Sequence, residues 1–393
     1  MFWYWCFAGP ALLLAFLSLR GESKRARYVR SRLSETPAAL PPATVVVPVK
    51  GEDYRLGENL QALASLDYPD FELIVAAQRA ADIPPRVLPA RVRVVLARRA
   101  GASASEKSVS ASEKVENLAA AVRASRSRSE LLAFADSDAR VSAGWLRALA
   151  APFSEEGVGA STGYRWFFPD TPAIWTWGFW RTGAWELMRS VWDAVAGGAL
   201  GPGDCPFAWG GSMAILKTTY FAARVPDYWR EAVSDDYALT AAVRAAGLRV
   251  AYAPGALVGS REPAGPGRFF EWSRRQLLLT RVYCPRLWWP ALAAHFFYVA
   301  GMVASGVALA AGHRLAAAVL AGQLIPGMWK GYRRASLARA CLPEYASWFR
   351  LWGWTHAALV PAATWAWLIS LAASAFGDSI EWRGRRYRLW RNW

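Results

Sequence analysis

The sequence predicts an α/β domain framed by apolar helices that meet a membrane. Two observations carry this. Short apolar runs alternate with helical patterns between Ala43 and Pro254, and long, nearly uncharged stretches flank them on both sides. The 393 residues leave room for one sizeable domain of about 200–250 residues plus membrane elements.

The segment Phe2–Leu19 is almost free of charge and near the minimum length to cross a bilayer. No basic stretch precedes it and no A-x-A site follows, so a retained anchor is expected rather than a cleaved signal peptide. Arg20, Lys24, Arg25, Arg27, Arg30 and Arg32 follow at once, which predicts a cytosolic side there. Pro37, Pro41 and Pro42 mark a linker. The runs Thr44–Val47, Phe71–Ala76, Val92–Leu96 and Leu131–Ala135 read as buried parallel strands, with helical patterns such as Lys114–Arg123 between them. This is a βαβ series. Ala100–Ser112, rich in Ser and Ala, reads as a mobile surface loop.

Membrane character returns after Tyr283. Trp288–Ala311 is one candidate span, Leu315–Trp329 a shorter one broken at Pro326 and Gly327, and Trp352–Phe376 a third. The loop with Lys330, Arg333, Arg334 and Arg339 is cytosolic in type. So is the tail with Arg383, Arg385, Arg386, Arg388 and Arg391. If all three segments cross, the central domain and the tail fall on opposite sides. One segment therefore fails to cross or folds back, and the Pro361 region is the candidate.

Composition agrees with a membrane protein. Hydrophobic residues make up 54%, and 23 Trp and 14 Tyr suit aromatic belts. The net charge of +16 admits nucleic acid, anionic lipid or anionic small substrates. The cations cluster beside apolar segments, which favours lipid headgroups and a diphosphate and sets nucleic acid aside. Cys6, Cys205, Cys284 and Cys341 form no C-x-x-C pair, and a reduced, cytosol-facing protein is expected. His295, His313 and His356 are too scattered for a ligand set.

Three short motifs carry candidate chemistry. Asp136-Ser137-Asp138 follows an apolar run, so two carboxylates fall at the carboxyl edge of a sheet. They suit Mg2+ or Mn2+ on a diphosphate, or simply a capped turn. Ser234-Asp235-Asp236-Tyr237 precedes a helical pattern. It serves either as an N-cap or as the source of a general base. Arg274 and Arg275, within Glu271–Gln276, suit a departing diphosphate or an amphipathic helix that meets headgroups.

Together these residues resemble the lipid-directed branch of nucleotide-sugar glycosyltransferases with a GT-A fold, with the ceramide glucosyltransferase family as the nearest likeness. The likeness spans about residues 43–285 and returns at the tail. Val46–Asp53 is similar to the family's first strand and Lys-Gly-x-Asp turn, and Leu66–Glu72 to its Leu-Asp-Tyr-Pro segment. Lys114–Leu118 resembles the Lys-x-x-Asn-Leu helix start. Asp136-Ser137-Asp138 resembles the second conserved acid, and Gly210-Gly211-Ser212 the Gly-x-Ser turn of the acceptor site. Asp235-Asp236-Tyr237 resembles the acid pair whose second member is the base, and Ile380–Tyr387 the Trp-Arg-Gly-Arg-x-Tyr tail. In the family's Gln/Arg-x-x-Arg-Trp motif, Arg275 fits the Arg, but Trp272 and Gln276 stand at its two ends. Only Asp82 falls in the window of the first conserved acid, and the acceptor-site His and Cys of the animal enzymes have no counterpart.

The resemblance implies an inverting transfer from a UDP-sugar, with glucose the first expectation, to the hydroxyl of ceramide or a similar membrane lipid. It implies that Lys50, Gly51, Asp82, Lys114, Asn117 and Asp136 hold the donor, and that Asp136 and Asp138 hold Mg2+ or Mn2+. Asp236, beside Asp235, is the implied base. Arg274 and Arg275 steady the diphosphate, and Gly211, Ser212, Trp272 and Gln276 meet the acceptor. The expected organisation is an anchor over 1–20, a basic, Pro-containing linker over 21–42 and a GT-A domain over 43–268. An interfacial segment over 269–290, a transmembrane region over 291–376 and a basic tail over 377–393 complete it. The domain is expected to face the cytoplasm from an integral membrane protein. Two rivals remain: a processive polysaccharide synthase, for which the apolar segments are few, and a non-catalytic sugar-nucleotide binding protein.

Overall fold

The computed structural model describes residues 2–35, 39–97, 111–170 and 174–391. Most of the loop expected at Ala100–Ser112, and Pro37 in the linker, lie outside them. The chain divides into two compact units: Ser31–Trp166 with Leu200–Arg261 and Arg391–Trp393, and Met1–Arg30 with Phe167–Ala199 and Glu262–Trp390.

The first unit is built on one sheet. Its strands are β1 (Ala43–Pro48), β2 (Phe71–Ala77), β3 (Val92–Leu96), β4 (Leu131–Ala135), β5 (Ala139–Arg140), β6 (Val158–Phe167), β7 (Ser212–Leu216) and β8 (Arg249–Ser260). Their order is β3-β2-β1-β4-β7-β6-β8-β5. β1 lies parallel to both β2 and β4, and β2 parallel to β3, so this half is the βαβ series the apolar runs predict. Every residue of β1 and of β4 is buried, as continuous apolar runs require when helices cover both faces. Helices α2 (Leu56–Ala64) and α3 (Glu113–Ala124) make the crossovers. The Ser112 hydroxyl caps α3 by accepting from the Val115 amide. The other half is antiparallel: β7 pairs with β4 and β6, and β5 with β8. α4 (Trp145–Ala150) packs against β8, and α6 (Lys217–Ala222), α7 (Val225–Trp229) and α8 (Asp235–Ala245) follow β7. Phe134, Trp229 and Tyr220 meet edge to face at 5.6 and 5.5 Å within this core. The fold is mixed α/β, as expected.

The second unit is helical. α1 (Phe2–Leu33), which ends in the sheet unit, runs unbroken through the basic residues after Arg20. The linker expected to open at residue 21 is therefore helical as far as Leu33, because the Lys, Arg and Glu residues after Gly21 are good helix formers and outweigh that one glycine. α5 (Ala184–Gly197), α9 (Pro266–Tyr283), α10 (Pro285–Ala310) and α11 (Leu315–Cys341) follow, then α12 (Ala346–Trp352), α13 (Thr355–Ala358) and α14 (Val360–Ser374). α11 passes through Pro326 and Gly327 without the break expected there. α1 and α10 are the helices long and apolar enough to cross a membrane among the described residues, and α14, with 15 residues, is a shorter apolar one. The third candidate span falls in α13 and α14, with only Trp352 in α12. The tail forms a hairpin, β9 (Ser379–Trp382) and β10 (Arg385–Arg388). Its turn residues Arg383 and Gly384 both have positive φ, the turn geometry that suits a tight hairpin.

The helical core is aromatic. Trp192 stacks on Trp367 at 4.2 Å, and Trp272 meets Trp192 and Phe167 edge-on at 5.1 and 5.5 Å.

Candidate active site

In the sheet unit the parallel strands β1, β2 and β4 end at one edge, and the antiparallel β7 begins there. In open α/β sheets this is the edge where ligands bind. After β1 the chain bends at Gly51, whose φ of +72° is costly for a side chain, and its amide donates to the Asp82 carbonyl. Lys50 forms an ion pair with Glu113 at the start of α3. After β2, the Gln78 amide donates to Glu116 and Asn117 on α3, at 3.0 and 3.1 Å. Asp82 accepts from the Arg79 backbone amide and guanidinium, and that bonding holds its carboxyl below the usual carboxylate range despite burial.

The centre of the edge is Lys114. Its ammonium lies 2.8 Å from Asp136 Oδ1 and 3.1 Å from Asp235 Oδ1. Burial alone would lower its pKa, but Asp136, Asp235 and Asp236 outweigh burial and raise it. Burial pushes the Asp235 carboxyl up to about 7, opposed by Lys114 and reinforced by the neighbouring carboxylates. Asp235 Oδ2 is buried with no hydrogen-bond partner among the described residues.

Asp236 is more exposed than Asp235 and is held by three donors. The Gly210 and Tyr237 amides donate to it at 3.2 and 2.7 Å, and the Ser234 hydroxyl donates to Oδ1. These donors fix the direction of the carboxylate. Ser234, Asp235 and Asp236 thus start α8 and also place two carboxylates at the sheet edge.

The glycines explain how closely these groups approach. A Cβ on Gly210 would lie 2.4 Å from Asp235 Oδ2, and one on Gly211 would lie 2.2 Å from the Trp209 ring and 2.7 Å from Asp136 Oδ2. Neither position admits a side chain without displacing the charged groups. Asp136-Ser137-Asp138 forms the turn between β4 and β5. Ser137 donates its hydroxyl to Asp53, and its carbonyl accepts from the Asn59 amide at 3.1 Å. Among the described residues, no three His, Cys, Asp or Glu side chains are grouped to hold a metal ion. Asp136 and Asp138 offer two hard oxygen donors. That set fits a divalent ion whose other ligands come from a diphosphate.

The glycosyl transferase family 21 model matches residues 5–168. The matched segment contains Lys50, Lys114, Asp136 and Asp138 and ends before Gly210 and Asp236. This family match supports a glycosyltransferase. No curated protein matches the chain. Solved structures with similarity include a mannosyltransferase from Pyrobaculum calidifontis in complex with GDP-Man and Mn2+. It is 17% identical, with a TM-score of 0.48, over 88% of this chain and 99% of the other. Glucosyl-3-phosphoglycerate synthase from Mycobacterium tuberculosis, in complex with Mn2+, UDP and glucosyl-3-phosphoglycerate, is 18% identical. Its TM-score is 0.35, over 61% of this chain and 75% of the other. These likenesses assign no residue a role.

The other expected residues belong to β7 and α9. Ser212 is fully buried: its hydroxyl accepts from Trp145 Nε1 and donates to the Ala256 carbonyl, both at 2.8 Å. It ties β7 to α4 and β8, with both hydroxyl bonds made inside the core. Trp272 belongs to the aromatic core of the helical unit. Arg274, on α9, donates to the Ala373 and Phe376 carbonyls at 3.1 and 3.0 Å and so caps the end of α14. Arg275 and Gln276 are partly exposed on the same helix. Glu113 and Trp209 belong to none of the motifs, and Asp53 carried no role of its own in the sequence. Asp53 stands inside the Lys-Gly-x-Asp turn, where the motif itself was a signal. Trp209, beside Gly210, meets Tyr164 at 5.7 Å and lies under the Arg165 guanidinium at 5.3 Å.

Proposed function

We propose that this chain is a membrane-bound, inverting glycosyltransferase that moves a sugar, glucose in the first instance, from UDP to a hydroxyl of ceramide or a similar membrane lipid. The observation that carries the reading is the convergence of Asp136, Asp235 and Asp236 on Lys114, against two glycines that leave no room for a side chain. A site that transfers glycosyl groups from a nucleotide needs cations for the diphosphate and one exposed, oriented carboxylate for the acceptor proton.

In this reading Lys50, Gly51, Asn117 and Asp82 border the nucleotide, and Lys114 meets developing negative charge on the diphosphate. Asp136 and Asp138 hold Mg2+ or Mn2+, which neutralises diphosphate charge when bound. Asp236 accepts the proton of the lipid hydroxyl as its oxygen forms the bond to the anomeric carbon. The bond from that carbon to the diphosphate breaks on the opposite face, UDP leaves with the electron pair, and configuration inverts. Asp235 keeps Lys114 in place. α1 and α10 anchor the chain in the bilayer, with the sheet unit in the cytoplasm.

The test is a donor-by-lipid transfer assay. Full-length protein in detergent with Mn2+ meets labelled UDP-glucose, UDP-galactose or UDP-N-acetylglucosamine, each against ceramide, diacylglycerol and a total lipid extract. One labelled glycolipid of β configuration is expected. A long polymer, or UDP binding with no turnover across all pairs, would overturn the reading.

A further inference from the structure

The helical unit holds a cavity of about 210 Å³, walled by α1, α5, α10, α11 and α14. Leu14, Met302, Leu324, Val360 and Trp367 make one part of its lining apolar. At the other part stand Ser18, Lys330 and Arg334. The cavity therefore begins within the apolar run of α1 and reaches the turn where its basic residues start.

Lys330 is the unusual member. Its ammonium donates to the Ser18 hydroxyl at 2.5 Å and lies 5.9 Å from the centre of the Tyr298 ring. Among the described residues, no carboxylate comes within ion-pair reach of it. Glu22, the nearby acid, is already engaged by Arg334 at 3.0 Å and Arg25 at 3.7 Å. A half-buried cation with no ion-pair partner among the described residues, beside a second cation at Arg334, is costly, which makes the site complementary to an anion.

Gln323 is the second, independent observation. It lines the same cavity at 3% exposure, and neither its amide oxygen nor its nitrogen has a hydrogen-bond partner among the described residues. Gly301 on α10 makes space for it, since a Cβ there would lie 2.3 Å from Gln323 Nε2. Buried amides are nearly always satisfied, so an unpartnered one facing a cavity marks a ligand with polar atoms.

We propose that this cavity binds one anionic membrane phospholipid, with part of one acyl chain between the apolar walls, its ester region at Gln323, and its phosphate at Lys330 and Arg334. The volume is below the range of about 300–1,000 Å³ typical of sites that enclose a whole drug-sized ligand. It suits a chain segment with the rest of the lipid outside. Basic pockets between membrane helices on the cytoplasmic side select anionic headgroups on these grounds.

Full-length protein, delipidated in mild detergent, is titrated with phosphatidylglycerol, phosphatidylcholine or inorganic phosphate. Retained lipid is counted by native mass spectrometry, and melting is followed in parallel. One tightly retained phosphatidylglycerol per chain is expected, with phosphatidylcholine weaker by about fivefold, the factor one interfacial cation supplies. Lys330→Gln brings phosphatidylglycerol down to the phosphatidylcholine level. Ala294→Leu, which narrows the cavity and leaves the charges alone, weakens both lipids. Equal retention of the two lipids in wild type and Lys330→Gln would overturn the proposal. So would inorganic phosphate raising the melting temperature as far as phosphatidylglycerol does, since that marks a free-anion site.

Discussion

Lys114 and Asp235 form an ion pair at 3.1 Å in which both side chains are largely withdrawn from water, and Asp136 closes on the same ammonium at 2.8 Å. Removing the cation strands two carboxylates. Lys114→Met is expected to cost about 3–5 kcal/mol, the range for breaking a buried pair. Thermal melting in detergent reads this directly. Lys114→Met/Asp235→Asn is expected to recover part of the loss, whereas additive losses would show that the two residues are not coupled.

Gly211→Ala places a methyl group against the Trp209 ring and Asp136. Displacement of the site by about an ångström lowers transfer on the order of a hundredfold. Gly144→Ala, at a position with open space around it, serves as the control and is expected to leave transfer unchanged. Rates measured at saturating donor, beside melting curves, separate a displaced site from a destabilised fold.

Glu155 joins Arg32, at the end of α1, to Arg249 of β8. Burial alone would raise its carboxyl pKa, but hydrogen bonds from Arg249 and Arg32 outweigh burial and hold it below the usual glutamate value. A carboxyl whose folded pKa is depressed contributes stability above its unfolded value of about 4.3 and loses it as pH falls through the folded value. Melting temperature is expected to fall below about pH 4.3 in wild type, and less steeply in Glu155→Gln.

A chelator is expected to abolish transfer, and added Mn2+ to restore it. Asp138→Asn is expected to raise the Mn2+ concentration for half-activation by at least the roughly tenfold that follows loss of an outer-shell partner. An unchanged Mn2+ response would remove Asp138 from the metal's surroundings.

The parallel half of the sheet was legible because its signal is local. The apolar runs at Thr44–Val47 and Leu131–Ala135 fall inside β1 and β4. The antiparallel half was not, since pairing of β4 with β7 joins residues about eighty positions apart, and no local pattern records it. Lys114 and Asp236 carried short motif signals. Ser212 and Trp272 stood in equally suggestive contexts and became core, because burial on a neighbouring element is set by tertiary packing. Pro326 misled for the same reason: packing of α11 against α10 sustains a helix that its local sequence would break.

The most direct test of the central claim is Asp236→Asn assayed for both donor binding and transfer. UDP binding is expected to stay within about twofold while turnover falls by roughly 10²–10⁴-fold, the worth of a general base. Near-normal transfer by Asp236→Asn would contradict it.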